Sequence, residues 1–125
     1  MKRIKSDYLF KKWKELNDSE IDALCKYVDW HYLSSNILCF EFIDRFNKHL
    51  IWETVSCRKL EERTIEKYHK VLNTTTVFFI NRLEESFLMR NIHDFIPYID
   101  TIVSTQKHLS EKTLNKILMI QEMYR

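Results

Sequence analysis

The chain has 125 residues, of which 45% are hydrophobic and 30% are charged, and its formal net charge is +2 at pH 7. These values are typical of a globular protein and exclude a disordered or membrane-embedded chain. Glycine is absent and proline occurs once, at Pro97, so hairpins and other turns that need positive φ are disfavoured and a sheet protein is not expected. The lack of glycine also excludes the glycine-rich phosphate loops of P-loop and dinucleotide-binding proteins.

The start of the chain and its cysteines bear on the cellular compartment. No apolar run approaches the roughly 20 residues that a membrane-spanning helix needs. The basic start from Met1 to Lys5 is not followed by the apolar core of a signal peptide. Cys25, Cys39 and Cys57 are odd in number and lack the C-x-x-C spacing of zinc and redox motifs. We therefore expect a cytoplasmic protein without a membrane partner, whose cysteines are free thiols in the core.

A 22-residue period is the strongest pattern in the sequence. Four apolar columns follow it: Ile21, Ile43 and Ile65; Leu24, Phe46 and Tyr68; Val28, Leu50 and Leu72; and Leu33, Val55 and Val77. Trp30 and Trp52 share the period. A fourth copy starts at Leu83, one residue late, and a stretched fifth copy starts at Leu109. The chain is therefore predicted to be all-α, one helical-repeat domain over residues 1–125, with short tandem helix-turn-helix units stacked as a small solenoid or compact bundle.

The predicted elements, taken in chain order, alternate between a longer and a shorter helix. Because Asp7 and Tyr8 align with Asp29 and Trp30, residues 6–14 are expected to be the short helix of an incomplete leading copy. The helices that follow are predicted at residues 18–27, 30–36, 40–49, 52–58, 62–71, 74–81, 85–96, 98–106 and 111–123.

Local signals mark the helix starts. The leucine that opens each unit lies five residues before an apolar residue, as Leu16 does before Ile21, which is the spacing of a hydrophobic staple. Asn17 with Glu20 predicts a capping box. Good N-cap residues stand at further starts, namely Asp29, Asn73 and Ser110. Ile51 occupies the equivalent cap position in the middle unit, which weakens that boundary.

Four pieces of the sequence carry a recognisable motif. They are Leu109-Ser110-Glu111 preceded by Gln106, Phe42-Ile43 with Phe46, Val28-Asp29-Trp30, and Leu33-Ser34. The unit resembles a short helical repeat, L-S-E-x-F-I-x-x-F-x-x-x-V-D-W-x-x-I-S-x-x-Q, of proteins from large DNA viruses, including bacteriophages. This chain departs from it where Thr74 replaces the tryptophan and where Glu61 or Glu84 replaces the capping serine. The resemblance implies a helical fold and a viral origin, and it transfers no active-site residues.

One motif has metal-binding chemistry, the E-x-x-H pair of Glu66 and His69. A carboxylate-bridged di-iron site needs two such pairs and two further glutamates, and the sequence holds one pair. The other histidines lack the H-E-x-x-H spacing, and nothing selects Cys25 or Cys57 as a nucleophile. We therefore predict no catalytic residue, no metal site and no cofactor, with a metal enzyme as the third alternative.

The first fifteen residues hold six positive charges against Asp7 and Glu15. The cations are Lys2, Arg3, Lys5, Lys11, Lys12 and Lys14. One interpretation is a patch that contacts phosphates or an acidic partner, and the other is a solvated cap that closes the array. Trp30 and Trp52, at repeat positions, are expected in the core and not in a base-stacking platform.

The last predicted helix has apolar residues on more than one face. Leu114 and Leu118 lie on one stripe, and a second stripe holds the predicted partner-binding residues Ile117, Ile120 and Tyr124. A terminal helix has a neighbouring unit on one side only, so one stripe is expected to be exposed and to bind a second copy or a partner protein. Alternatively, the helix folds over the end of the core and buries both stripes.

Stacked helical units form an extended surface that typically binds other macromolecules. Together with the resemblance, this favours a non-catalytic protein of a virus or bacteriophage. We expect it to bind a host protein or defence complex in the host cytoplasm and to inhibit or modulate it. The alternative is a nucleic-acid-binding adaptor that uses the basic N-terminal segment.

Overall fold

The computed structural model describes residues 2–36 and 38–125, and every regular element in this part of the chain is a helix. Helix α1 (Lys2–Lys12) continues into a 3-10 turn at Trp13–Glu15. The first helices of the units are α2 (Asp18–Cys25), α4 (Phe40–Phe46), α6 (Glu62–Tyr68), α8 (Glu85–Asn91) and α10 (Glu111–Met123). The second helices are α3 (Trp30–Ser34), α5 (Trp52–Ser56), α7 (Thr74–Ile80) and α9 (Ile99–Thr105). The predicted all-α class is confirmed.

The 22-residue period determines which side chains form the core. All members of the three columns that begin at Ile21, Val28 and Leu33 are buried. In the remaining column Phe46 is buried, whereas Leu24 and Tyr68 are half-buried and pack against the core. The period therefore reflects burial, because equivalent residues of successive units meet the same environment.

Neighbouring units stack with like helix against like helix. Among the second helices, α3 contacts α5, α5 contacts α7 and α7 contacts α9. Among the first helices, α4 contacts α6, and α8 contacts α10. Helix α1 packs on α3 and so takes the place of a second helix in front of the array. This succession of neighbour contacts is the arrangement of a solenoid.

The predicted caps are present at the helix starts. The Asn17 side chain accepts a hydrogen bond from the Glu20 backbone N–H while the Glu20 carboxylate accepts one from Asn17, which completes the capping box. The side chains of Asp29, Asn73 and Ser110 each accept a hydrogen bond from the backbone N–H three residues on. Ile51 offers no side-chain acceptor at the start of α5.

Buried serines of α1, α3 and α5 link each of these helices to the second helix that follows it. The Ser34 Oγ accepts a hydrogen bond from the Ile51 backbone N–H at 2.9 Å, and the Ser56 Oγ accepts one from Asn73 at 2.8 Å. In the same way, the Ser6 Oγ accepts from the Asp29 backbone N–H at 2.8 Å. The starts of α3, α5 and α7 are therefore held by the helix that precedes each of them in the stack, namely α1, α3 and α5.

These serine contacts correct the predicted register of the leading copy. Helix α1 begins at Lys2, before the expected boundary, and Ser6 stands where Ser34 and Ser56 stand in later units. The alignment of Asp7 with Asp29 was wrong, because Asp7 caps no helix and instead accepts a hydrogen bond from the Tyr32 hydroxyl. The long-range contact of the buried serine, and not the local D-aromatic pattern, sets the register.

Two further expectations need correction. Trp30 and Trp52 are half-buried and lie between units, with Trp30 stacked on His49 at 4.8 Å and Trp52 tilted against Tyr68 at 5.1 Å. The Trp30 indole N–H donates to a backbone carbonyl, and such a polar group favours the margin of the core. The helix predicted at residues 85–96 ends at Asn91 and continues as a 3-10 segment, Ile92–Tyr98, since Pro97 disfavours α-helical backbone before it.

Candidate interaction surfaces

The candidate metal ligands are engaged in contacts between units. The Glu66 carboxylate accepts hydrogen bonds from Arg90 and Asn91, both at 3.1 Å. The His69 ring is half-buried and meets the Phe95 ring edge-on at 5.6 Å. Within residues 2–36 and 38–125, no group of three or more histidines, cysteines and carboxylates is placed to hold a metal ion.

The cysteines differ from the expected core thiols. Cys25 is half-buried, but Cys39 and Cys57 are exposed. Burial raises the pKa of the Cys25 thiol, with the Arg45 charge opposing that effect, so Cys25 is less disposed to form a nucleophilic thiolate. Cys39 and Cys57 lie at a helix boundary between repeat columns, which explains why the core prediction for them was wrong.

Ion pairs join the first helices of neighbouring units. The pairs are Arg45 with Asp18 at 3.3 Å, Lys67 with Asp44 at 2.5 Å and Arg90 with Glu66 at 3.1 Å. Hydrogen bonds from Lys67 and Tyr68 lower the pKa of Asp44, and one from Asn91 does most to lower that of Glu66. These three ion pairs form a ladder along the first helices, and their charges are therefore already paired within the array.

Buried amides make a second set of contacts between units, which the sequence reasoning missed. The Asn81 side chain accepts a hydrogen bond from the Leu60 backbone N–H, and the Gln106 side chain accepts one from Leu83, both at 2.9 Å. The Gln106 amide also donates to the carbonyls of Phe78 and Asn81. Gln106 is part of the quoted motif, but the motif did not specify that its side chain links two units.

The six N-terminal cations divide between the two ends of α1. Near its start, the Arg3 guanidinium lies over the Tyr32 ring at 4.8 Å, and the Lys5 ammonium lies over Tyr27 at 4.6 Å. At its end, Lys12 pairs with Glu15, and Lys14 lies over Trp13. Lys2 and Lys11 are exposed, and the nine helical steps from one to the other span roughly 13 Å. Several of these cations pack on the array, so the segment is not one continuous patch.

The last helix exposes a different face from the predicted one. Ile117 is buried and packs in the core, so its assignment as a partner-binding residue was wrong. Ile120 is half-buried, and the exposed Tyr124 has its hydroxyl 3.5 Å from His93. The contacts of α10 with α8, α9 and the 3-10 segment fix this orientation. The large apolar side chains left exposed on α10 are Leu118 at 41%, Met119 at 64% and Met123 at 73%.

A row of cations follows the repeat and was also missed. Lys26, Lys48 and Lys70 are exposed and lie 22 residues apart, and His93 is exposed 23 residues after Lys70. Each lysine comes within two residues of the end of a first helix. The available signal was the same 22-residue period, which these lysines share with the apolar columns.

A cleft of about 510 Å³ lies where α8 and α10 begin. Its lining includes Glu85, His108 and Ser110. The Glu85 carboxylate accepts from the Ser110 backbone N–H, and the His108 ring lies 2.6 Å from the Leu83 carbonyl oxygen. The polar groups of this cleft thus hold two units together.

In the part of the chain that the structure describes, no helix combines the length and apolarity needed to cross a bilayer. No protein-family model, curated protein or solved structure matches the chain.

Proposed function

We propose that this chain is a non-catalytic module that binds another protein through an apolar strip on α10. The strip consists of Leu118, Met119 and Met123. Helix α10 packs against α8, α9 and the 3-10 segment, which leaves its opposite face exposed. That face carries these three large apolar side chains among polar ones, and this observation carries the proposal.

The chemistry of the strip suits a protein partner. Methionine is flexible and polarisable, so its side chain adapts to the shape of a protein surface. Lys116 and Glu122 are exposed on the same helix and supply polar groups beside the apolar side chains, as at the rim of a protein interface. Burying Met119 and Met123 in a complex would remove from water side chains that folding leaves exposed.

The class of partner is proposed from the viral resemblance of the repeat and from the general behaviour of small viral proteins, since the motif itself describes packing and capping. The resemblance of the repeat to those of large DNA viruses and bacteriophages supports a viral origin, and a small viral protein of this kind acts on proteins of its host. We therefore propose a host protein or defence complex as the partner, bound and inhibited in the host cytoplasm. A second copy of the chain is the competing occupant of the strip.

The test compares two matched double variants. Met119→Glu with Met123→Glu places two charges in the strip, and Ile4→Glu with Phe79→Glu makes the same change at exposed apolar residues of α1 and α7. Nuclease-treated host lysate is passed over each immobilised protein, and recovered partner is quantified. We expect one partner, retained by the parent and the control and lost by the strip variant.

Two results would contradict this proposal. Equal retention by the strip variant and the parent would place binding elsewhere on the molecule. Sedimentation of the parent as a dimer that the strip variant dissociates would assign the strip to a second copy.

A second candidate is a nucleic-acid-binding adaptor that uses the basic N-terminal segment. Lys11, Lys12 and Lys14 are exposed near the end of α1, with Glu15 as the paired carboxylate among the described residues. Replacing these three lysines with glutamine should weaken nucleic-acid binding and flatten its salt dependence without unfolding the protein. Unchanged binding would remove the segment from consideration.

A further inference from the structure

We infer that the cation row formed by Lys26, Lys48 and Lys70 binds the backbone of a single-stranded nucleic acid. This surface is separate from the strip on α10 and from the cations beyond the end of α1. It gives the module a second ligand of a different class, and it stands or falls independently of the protein partner.

The repeat geometry turns the sequence period into a regular row. Lys26, Lys48 and Lys70 occupy the same position in three consecutive units, and the exposed His93 occupies that position in the fourth. Helices α4 and α6 pack directly on each other, and the axes of packed helices lie about 8–10 Å apart. Lys48 and Lys70 follow the ends of these two helices and so lie on neighbouring units.

The row remains unpaired although ion pairs are frequent elsewhere on the array. None of the three lysines forms an ion pair with a carboxylate of the described residues, as Lys67 does with Asp44 and Arg90 with Glu66. Those pairs also occupy the carboxylates that lie one helical turn before Lys48 and Lys70. The positive charges of the row are thus not neutralised by ion pairs within the described residues.

Other charges near the row leave its sign unchanged. Asp22 lies one turn before Lys26, and Asp94 follows His93. The Lys5 ammonium lies over the ring of Tyr27, the residue after Lys26, and so adds a cation at the end of the row where Asp22 lies. With Lys5 included, four lysines face two unpaired carboxylates.

Helix stabilisation alone does not account for these lysines. A cation near a helix C-terminus interacts favourably with the helix dipole, an effect confined to the last turn. In α4 and α6 that turn already contains Arg45 and Lys67, both of which are paired with carboxylates. Lys48 and Lys70 come after these turns, so their recurrence needs another cause.

The residues beside the row favour nucleic acid over an acidic protein. Tyr27 and His49, which follow Lys26 and Lys48, are exposed. Lys5 lies over one face of the Tyr27 ring and Trp30 stacks on one face of the His49 ring, so an unpaired base would stack on the other face of each. Aromatic rings beside a line of cations are typical of proteins that bind single strands without sequence preference.

The test measures binding of labelled oligothymidylate and oligouridylate by fluorescence anisotropy over a series of salt concentrations. The row variant carries Lys26→Gln, Lys48→Gln and Lys70→Gln. The control carries Lys59→Gln, Lys107→Gln and Lys112→Gln, which makes the same change in net charge at exposed lysines outside the row. We expect the row variant to bind at least about tenfold more weakly and to lose about two units of salt slope, and the control to stay within about threefold of the parent.

Several outcomes would overturn the inference. Undetectable binding by the parent at low salt, or equal losses in the row variant and the control, would show that the row is not the contact. If polyglutamate bound more tightly than the oligonucleotides and its binding required the row lysines, the row would be assigned to an acidic protein. Tighter binding of duplex DNA than of the single strands would exclude a single-strand surface. Equal urea midpoints for all three proteins would establish that folding is unaffected, and Lys48→Glu alone should reproduce the direction of the effect.

Discussion

In successive units, a serine hydroxyl at the equivalent position links one unit of the array to the next. Ser34 and Ser56 are fully buried, and each accepts a backbone N–H from the start of the following second helix. The 22-residue period makes the recurrence of these serines visible in the sequence. Their partners were not predictable from it, since Ile51 and Asn73 lie 17 residues away and only the stacking brings them together.

Ser56→Ala should destabilise the protein by about 1–3 kcal/mol, because it removes the buried Ser56 hydroxyl that accepts the Asn73 N–H in a part-buried hydrogen bond. Urea denaturation of the variant beside the parent measures this loss. Ser19→Ala, at an exposed serine, serves as the control and should change the free energy of unfolding by less than about 0.5 kcal/mol. Equal effects of the two changes would refute the linking role of Ser56.

The ladder carboxylates should make stability depend on pH below neutrality. The pKa values of Asp44 and Glu66 are lowered in the folded state, so the unfolded chain takes up protons first as the pH falls. Their contribution is therefore present above the ordinary values of 3.8 for aspartate and 4.5 for glutamate. It is lost as the pH falls through the lower folded-state values.

Urea midpoints measured from pH 7 to pH 3 test this dependence. The parent should show a constant midpoint down to about pH 5 and a decline below it. Asp44→Asn should flatten part of that decline, because it removes one carboxylate whose pKa is lowered on folding. A decline of the same size in the variant would mean that Asp44 makes no contribution.

At the scale of the helix, boundaries were predictable where local signals determine them. The capping box at Asn17 and the caps at Asp29 and Ser110 involve residues three positions apart, so the sequence alone contains the whole interaction. The start of α1 at Lys2 was missed, because it depends on the distant contact between Ser6 and Asp29.

The orientation of α10 was the main error in the predicted site. Its apolar residues lie on more than one face, and the packing against α8 and α9 decides which face is buried. The period could not supply that choice, because the fifth copy is stretched and its residues do not align with the buried columns of the earlier units. Ile117 entered the core and Met119 remained outside.

Two glutamate substitutions two residues apart on α10 should change the free energy of unfolding by very different amounts. Ile117→Glu would bury a charge among apolar side chains and should prevent folding or cost more than about 4 kcal/mol. Met119→Glu should change the free energy of unfolding by less than about 0.5 kcal/mol, because its side chain is exposed. Thermal and urea denaturation decide the point, and comparable losses would show that α10 is oriented differently.

The whole molecule is held together by contacts between neighbouring units. Successive units are linked by buried serines, buried amides and ion pairs, so the interior of the array is largely satisfied by its own repeats. The cation row and the α10 strip are surfaces that these contacts leave unused, as are the exposed apolar side chains of α1 and α7. The row follows the repeat and the strip does not, which explains why only the row had a periodic signal.

Site-specific photo-crosslinking in host cells tests the binding role of the α10 strip most directly. A photoreactive amino acid replaces Met119 in one protein and the similarly exposed Phe79 of α7 in another. The proposed function predicts one discrete adduct with a host protein from position 119 and none of that size from position 79. The same adduct from both positions, or a product from position 119 consisting only of two copies of this chain, would contradict it.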